Sequence, residues 1–181
     1  MPETLLTPLH NHAFEMNVDA LTHFLANLTF RQAVWLFPFA FTLHMLEEVR
    51  QFTAWANRYA SPQFTFQEYL TIHFAGIVAA FIAAAVIWYF PSKVVVFLFF
   101  TLIFTPAVFF NIFFHAGATA AFGTYCPGLL TALTVYPPLF YLISRLAFSE
   151  GLLTSKLGWI SFVIAGAVHA ADVSRNVFKA W

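Results

Sequence analysis

The chain has 181 residues, of which 61% are hydrophobic and only 9% are charged. Soluble globular domains carry roughly a quarter charged residues, and a soluble domain this apolar would expose large apolar patches, so the composition predicts an integral membrane protein. Eight basic residues balance eight acidic ones, which argues against nucleic acid as a partner. A single cysteine, Cys126, excludes an internal disulfide framework.

Six helices are predicted in chain order. Residues 1–30 form an N-terminal segment in which 17–30 places apolar residues at helical spacing, as in an amphipathic helix at the membrane interface. Residues 31–181 contain five apolar stretches of about 20 residues, the length a helix needs to cross the hydrocarbon core. These stretches are 31–50, 69–90, 93–115, 127–147 and 156–177. The predicted fold is an all-α polytopic bundle of five transmembrane helices preceded by one interfacial helix.

Two local signals refine the predicted spans. Thr65 and Glu68 stand three apart just before the second span, which is the spacing of a capping box that starts a helix. Pro38 and Pro106 lie inside the first and third spans, where a proline removes one backbone hydrogen bond and bends the helix. Two interpretations are open: the bends separate the ends of those two helices and open a pocket at side B, or they are tolerated as helix flexibility.

Polar side chains concentrate at one side of the predicted bundle. Alternate spans run in opposite directions, so the end of the first span, called side B here, also holds the start of the second, the end of the third, the start of the fourth and the end of the fifth. The polar residues that fall near side B are His44, Glu47, Glu48, His73, Asn111, His115, Tyr125, Cys126, His169 and Asp172. This convergence predicts one shared site in one leaflet.

The orientation of the bundle stays open. Positive charges favour the cytoplasmic side of a membrane protein. Each side holds four basic residues: Arg31, Lys93, Arg145 and Lys156 at side A, and Arg50, Arg58, Arg175 and Lys179 at side B. The tie leaves the cytoplasmic face undecided.

The segment FTLHMLEEVR, residues 41–50, carries the first part of the predicted site. On a helix His44 lies beside both Glu47 and Glu48, whose side chains point about 100° apart. One alternative is a helix end that reaches water, with Arg50 marking the boundary. Because charged side chains inside a membrane are costly and are functional by default, we interpret His44 and Glu48 as interior site residues.

Other helices provide further metal ligands. The segment differs from H-x-x-E-H, since Glu48 stands where that pattern has its second histidine. His115 and His169 lie at the same predicted depth, although a lone membrane histidine often only bonds a neighbouring helix. With His44 and Glu48 they make a nitrogen and oxygen site suited to a divalent metal, zinc or iron. The second carboxylate, Glu47, is then a candidate general base.

Three further residues are predicted to support the chemistry. Asn111 shares a helix face with His115, and Asp172 follows His169 by three residues. Tyr125 opens the fourth span. Glu47, Glu48, Asn111, Tyr125 and Asp172 are therefore the predicted catalytic set, while His73, near the interface, is expected only to cap a helix or form a hydrogen bond.

Three short motifs resemble those of the bacterial HXXEE family of small membrane proteins: His44-Met-Leu-Glu-Glu48, Asn111-Ile-Phe-Phe-His115 and Tyr125-Cys-Pro-Gly128. The resemblance covers about residues 35–175. It implies that Tyr125, Pro127 and Gly128 lie beside the site, with the proline and glycine shaping the turn into the fourth span. It also implies an integral protein of the bacterial cytoplasmic (inner) membrane.

Three functions remain in competition. The leading prediction is a membrane-embedded, metal-dependent enzyme that activates water against a lipophilic substrate. The second is a metal-free acid–base isomerase or cyclase of an isoprenoid or sterol-like lipid, which needs a histidine–carboxylate pair. The third is a transporter or ligand-binding membrane subunit. The expected partners are a lipophilic small molecule, membrane lipids and a second copy of the chain in a homo-oligomer.

Overall fold

The computed structural model describes residues 27–177, and that range is helical without strands. The predicted interfacial helix at 17–30 lies almost entirely outside the described residues. The described helices are α1 (Phe30–Ala33), α2 (Leu36–Glu48), α3 (Phe52–Tyr59), α4 (Phe66–Tyr89), α5 (Lys93–Phe122), α6 (Leu129–Thr134), α7 (Tyr136–Ser149) and α8 (Ser155–Asn176).

Three of these helices, α4, α5 and α8, are long and apolar enough to cross a membrane. They correspond to the second, third and fifth predicted spans. The first predicted span divides into α1 and α2 around Val34 and Trp35, and the fourth divides into α6 and α7 at Val135. The all-helical, membrane-type fold is confirmed, and the shorter pairs α1–α2 and α6–α7 complete the bundle.

Side-chain caps fix the starts of the long helices. The predicted capping box at α4 is confirmed, since Thr65 Oγ1 accepts from the Glu68 amide and Glu68 Oε2 accepts from the Thr65 amide. Ser92 caps α5 and Thr154 caps α8 in the same way, each through its hydroxyl oxygen. Polar residues between apolar runs therefore determine where the helices begin.

Helix α5 widens in its middle. The residues Phe100–Phe110 wind as a π-helix that contains Pro106. A proline has no amide proton to give to the carbonyl four residues earlier, and wider winding is one way for a helix to absorb that loss. Along this stretch α5 packs most extensively against α8, and Pro106 and Ala107 face a cavity near the polar site.

Among residues 27–177 the apolar core has two parts, and buried polar residues lie between them. One part is rich in phenylalanine and includes Phe37, Phe104 and Tyr136; the other surrounds α3 and includes Phe52. The His44 ring lies 4.9 Å from Tyr136, and the His115 ring lies 6.4 Å from Phe52. The polar site is thus enclosed by aromatic rings from both parts of the core.

Candidate functional site

Glu48 lies at the centre of the buried polar residues, with only 2% of its surface exposed. Its Oε1 atom is 3.5 Å from His44 Nε2 and 3.3 Å from His115 Nε2. Its Oε2 atom is 2.8 Å from His73 Nε2 and accepts a hydrogen bond from the Tyr69 hydroxyl at 3.3 Å. The last residue of α2 is therefore surrounded by groups from α4 and α5.

Thr131 and Glu47 hold His44 in one tautomer. The Thr131 hydroxyl lies 2.5 Å from Glu47 Oε2 and 3.2 Å from the Gly128 carbonyl, and both of these groups only accept hydrogen bonds. The hydroxyl therefore donates, and its oxygen accepts the proton of His44 Nδ1 at 2.7 Å. The lone pair of neutral His44 is then on Nε2, to which the Asn111 amide donates at 3.0 Å.

The Cys126 thiol and the Pro127 carbonyl hold His115 in the same tautomer as His44. Burial, together with the negative charges of Glu48 and Glu47, raises the pKa of the Cys126 thiol well above its ordinary value, so the thiol keeps its proton. That proton faces the Pro127 carbonyl, 3.8 Å from the sulfur. The sulfur accepts from His115 Nδ1 at 3.4 Å, which leaves the lone pair of His115 on Nε2.

His44, Glu48 and His115, called here the histidine–glutamate centre, can hold a metal ion. One ligand atom from each lies within 4.8 Å of the other two, and all three residues are buried. Glu48 Oε1 lies within 3.5 Å of both Nε2 atoms, and the Asn111 amide donates to the Nε2 atom of His44. Two imidazole nitrogens and one carboxylate oxygen are ligands that a divalent cation such as zinc accepts.

Glu47 points about 100° away from Glu48 around α2 and caps a different helix. It accepts hydrogen bonds from the amides of Gly128 (3.1 Å), Leu130 (3.0 Å) and Thr131 (2.8 Å), and from the hydroxyls of Thr131 and Tyr125. Helix α6 thus receives its N-terminal cap from α2. Burial and the bond to Glu47 raise the pKa of the Tyr125 phenol, which therefore stays a donor. These contacts favour a structural role for Glu47.

Gly128 brings the chain against the histidine–glutamate centre. Its φ of 98° lies in the left-handed region, which glycine adopts without strain. A Cβ at this position would lie 2.6 Å from His115 Cε1, 2.7 Å from His44 Cε1 and 2.9 Å from Glu48 Oε1. Only a residue without a side chain fits between the buried centre and the turn into α6.

His73 binds Glu48 more closely than any predicted ligand does. Its Nδ1 atom is 2.9 Å from the Tyr69 carbonyl, which only accepts, so Nδ1 carries a proton. The contact of Nε2 with Glu48 Oε2 at 2.8 Å then requires a further proton, held either by the imidazole or by the carboxyl group. His73 and Glu48 form a pair that shares one mobile proton.

A cavity of about 350 Å³ adjoins the histidine–glutamate centre. Its polar lining residues are His44, Glu48, His73, Asn111, His169 and Asp172, and the rest of its lining is apolar. His169, the fourth predicted metal ligand, bonds the Pro106 carbonyl and packs its ring against Phe110 and Phe114. It faces the cavity and is not one of the three grouped ligands.

The structure therefore distributes the predicted residues among three positions. His44, Glu48 and His115 meet at the centre with Asn111; Glu47 and Tyr125 bind the turn into α6; His169 and Asp172 line the cavity. The sequence predicts no role in the site for Tyr69, Cys126 or Thr131, and only a minor one for His73. His73 follows Tyr69 by four residues near side B, which is the only signal that could have added this pair.

The fold and the site define a class of protein: a helical membrane-type bundle with a buried histidine–glutamate centre where three polar segments of the chain meet. The chain belongs to the HXXEE family. The model of that family, described as a protein of unknown function with HXXEE motif, matches residues 35–143, which is more than half of the chain. No curated protein and no solved structure matches it.

Replacing Thr131 with valine is expected to release His44 from its fixed tautomer. Valine keeps the shape of threonine but removes the hydroxyl that links Glu47 Oε2 to His44 Nδ1. Two-bond proton–nitrogen NMR spectra of the histidine ring should then show a mixture of tautomers. Loss of such an outer hydrogen bond typically weakens metal affinity about 10- to 100-fold. Thr131→Ser, the control, should keep both, and an unchanged His44 spectrum in the valine variant would contradict the assignment.

Proposed function

We propose that this protein is a membrane-embedded enzyme in which His44, Glu48 and His115 bind a divalent cation, zinc or iron, to activate water against a lipophilic substrate. The observation that supports this most strongly is the meeting of two imidazole lone pairs and one carboxylate oxygen within 4.8 Å. The outer groups that orient both imidazoles add to it, because metal-binding histidines characteristically donate their other ring proton to a neighbour.

The donor set fits such an ion. Two imidazole nitrogens and one carboxylate oxygen are the three protein ligands of several catalytic zinc sites, which keep a fourth position for water or substrate. In the present arrangement the Asn111 amide donates to His44 Nε2, and it would be displaced when a cation takes that lone pair. A divalent ion here would polarise a carbonyl or phosphoryl oxygen and promote deprotonation of a water molecule.

The remaining side chains have matching roles in the proposed chemistry. His73 and Glu48 Oε2, 2.8 Å apart, share a proton that can move to or from a reacting group. Asn111 faces the cavity and, once displaced from His44, offers its amide protons to a developing negative charge. The apolar remainder of the lining keeps bulk water and ions away from the reacting atoms and accommodates the apolar part of a substrate.

A metal-free isomerase or cyclase is the second candidate. It is favoured by one observation, the direct contact of His73 with Glu48, because a histidine–carboxylate pair alone can move a proton along a lipid. In that case His44 and His115 would only hold the Glu48 carboxylate in position. Metal binding separates the two proposals.

Metal binding can be measured through stability. Protein stripped with a chelator and then titrated with Zn²⁺ or, without oxygen, Fe²⁺ should unfold at a higher temperature; a ligand at 100 times its Kd adds about 2.7 kcal/mol. His44→Ala, Glu48→Gln and His115→Ala should remove this shift, whereas His169→Ala, the control histidine, should keep it. No shift with either metal, or equal shifts in all four variants, would sink the metal proposal and leave the acid–base candidate.

A further inference from the structure

The cavity beside the histidine–glutamate centre has an apolar end, which lies farther from side B than the centre does. The helices that line the cavity run along the bundle, so the order of the lining residues in the chain gives their depth. Phe37 precedes His44 by seven residues on α2, and Ala79 follows His73 by six on α4. At about 1.5 Å per residue, both steps lead roughly 10 Å away from side B. Among the described residues, the lining at that depth is entirely apolar.

A gap between α4 and α5 lies at this apolar end. Helix α4 packs along α2 and meets α5 at Lys93–Phe99, near the start of that helix. Within residues 27–177 no extensive packing joins α4 to the rest of α5 or to α8. Ala79 on α4 and Leu102 on α5 both line the cavity, yet both are exposed, Leu102 by 53%. The cavity therefore reaches the outer surface of the bundle between these two residues.

The gap lies near the middle of two helices that are long and apolar enough to cross a membrane. Ala79 stands ten residues before the end of α4 at Tyr89, and Leu102 stands nine residues after the start of α5 at Lys93. Each is thus about 14–15 Å from the turn between the helices, roughly half the thickness of the hydrocarbon core. In a bilayer the gap faces the ends of lipid chains, and the histidine–glutamate centre lies nearer the headgroups of side B.

The cavity has room for one hydrocarbon chain. Its volume of about 350 Å³ holds roughly a dozen groups at about 30 Å³ for each water-sized group, so a second chain of the same molecule would stay outside. Gly76 keeps open the passage from the apolar end to the centre. A Cβ at that position would lie 2.8 Å from the ring of Phe41, which lines the same cavity.

We propose that the substrate is a lipid of the side-B leaflet, which enters sideways from the bilayer between α4 and α5. One hydrocarbon chain lies along Phe37 and Ile103 in the apolar end. The bond next to the headgroup reaches the histidine–glutamate centre, and this part rests on the proposed function. The lipid keeps the orientation that it has in the leaflet, with its chain end near the middle of the bilayer and its headgroup at side B. A molecule dissolved in water would instead enter from side B, past the exposed Asp172.

Photolabelling tests this entry route. The protein is held in nanodiscs of phosphatidylcholine, a small share of which carries a diazirine at the end of one chain, and the labelled residues are located by mass spectrometry after irradiation. Phe37 is 1% exposed and lines the cavity, so it reports a chain inside the cavity. Val163 is 70% exposed near the middle of α8, so it reports the surrounding lipid. We expect both residues to be labelled in the wild-type protein.

Two pairs of variants locate the opening. Ala79→Phe narrows the gap and should abolish labelling of Phe37, whereas Ala75→Phe, exposed on the same helix but outside the lining, should keep it. Leu102→Ala widens the gap and should increase labelling of Phe37, and Leu98→Ala, exposed on α5 outside the lining, should leave it unchanged. The reference position on α8 should be labelled equally in all four variants, which shows that each is folded and embedded.

The proposal would be overturned if Phe37 stayed unlabelled in the wild-type protein, or if its labelling were the same in Ala79→Phe and Leu102→Ala as in the wild type. His115→Ala separates this proposal from the proposed function, because His115 belongs to the proposed metal site but does not line the cavity. This variant should lose the metal and keep the label at Phe37. A labelled Phe37 in a protein that binds no metal defeats only the metal site, whereas metal binding with Phe37 unlabelled defeats only the lipid route.

Discussion

Gly128→Ala is expected to destroy the histidine–glutamate centre while most of the bundle stays folded. The added Cβ would lie within 2.9 Å of atoms in His115, His44 and Glu48, all of which are buried and cannot move aside. The left-handed backbone adds about 1–2 kcal/mol of strain for a residue with a Cβ. We therefore expect loss of metal binding and a clearly lowered unfolding temperature, measured by metal titration and by thermal unfolding monitored by circular dichroism.

Two glycine controls separate the causes of this effect. Gly123 has a φ of 63° but nothing within 4 Å of its Cβ position, so Gly123→Ala carries only the backbone strain. Gly117 lies within α5 with open space around it, and Gly117→Ala should be neutral or stabilising by about 0.5–1 kcal/mol. If Gly128→Ala affected stability and metal binding no more than Gly123→Ala does, the close packing of this turn against the centre would be disproved.

Glu47→Gln is expected to detach the turn into α6 from α2. The carboxylate accepts from three backbone amides and from the hydroxyls of Thr131 and Tyr125. The side-chain amide of glutamine has two N–H donors, which would face the N–H and O–H groups that donate to the carboxylate. Hydrogen bonds to a charged group are worth about 1.5–3 kcal/mol each, so we expect destabilisation of at least that size, measured by denaturant or thermal unfolding, together with weaker metal binding through the Thr131 link to His44.

Glu68→Gln is the matched control for this substitution. Glu68 also accepts from a backbone amide and a hydroxyl, both of Thr65, but glutamine completes a capping box nearly as well. Its effect should stay below about 1 kcal/mol. If Glu47→Gln were equally mild, the carboxylate would have little structural role at the turn.

The two adjacent carboxylates of α2 thus divide between structure and chemistry. The helix turns by about 100° from one residue to the next, which directs Glu48 inward to three histidines and Glu47 toward the backbone of another helix. Thr131 connects the two, because it donates to Glu47 and accepts from His44. An intact turn and a correctly oriented histidine are therefore parts of one arrangement.

Helix direction and spacing made part of this site predictable from sequence. Tracing alternate spans places His44, Glu48, Asn111 and His115 at the same depth, because a membrane fixes where each helix crosses it. A uniformly apolar segment lacks the amphipathic stripe that marks which face of a helix packs against its neighbours. The face that points into the bundle therefore cannot be predicted from such a segment. For that reason the sequence does not show that His73 contacts Glu48, or that His169 lies on the cavity wall apart from the three grouped ligands.

The hydrogen-bond network around His44 and His115 could not be predicted from the sequence, for a different reason. Thr131 and Cys126 are ordinary small residues in an apolar sequence, and their roles depend on tertiary contacts 87 and 11 residues away along the chain. The division of the first and fourth predicted spans into shorter helices was missed as well. Hydropathy averages over a window of about 19 residues, so it passes over single breaks such as the one at Val135.

The most direct test of the histidine–glutamate centre is the X-ray absorption spectrum of the metal bound to the intact protein. The wild-type protein should bind about one zinc or iron ion per chain, as expected for one site with three protein ligands. The spectrum should show multiple scattering from two imidazole rings and a light-atom shell of nitrogen and oxygen. His115→Ala should remove the metal, or halve the imidazole signal where metal remains. Protein without metal after loading, or a bound metal whose spectrum lacks imidazole, would contradict the proposed centre.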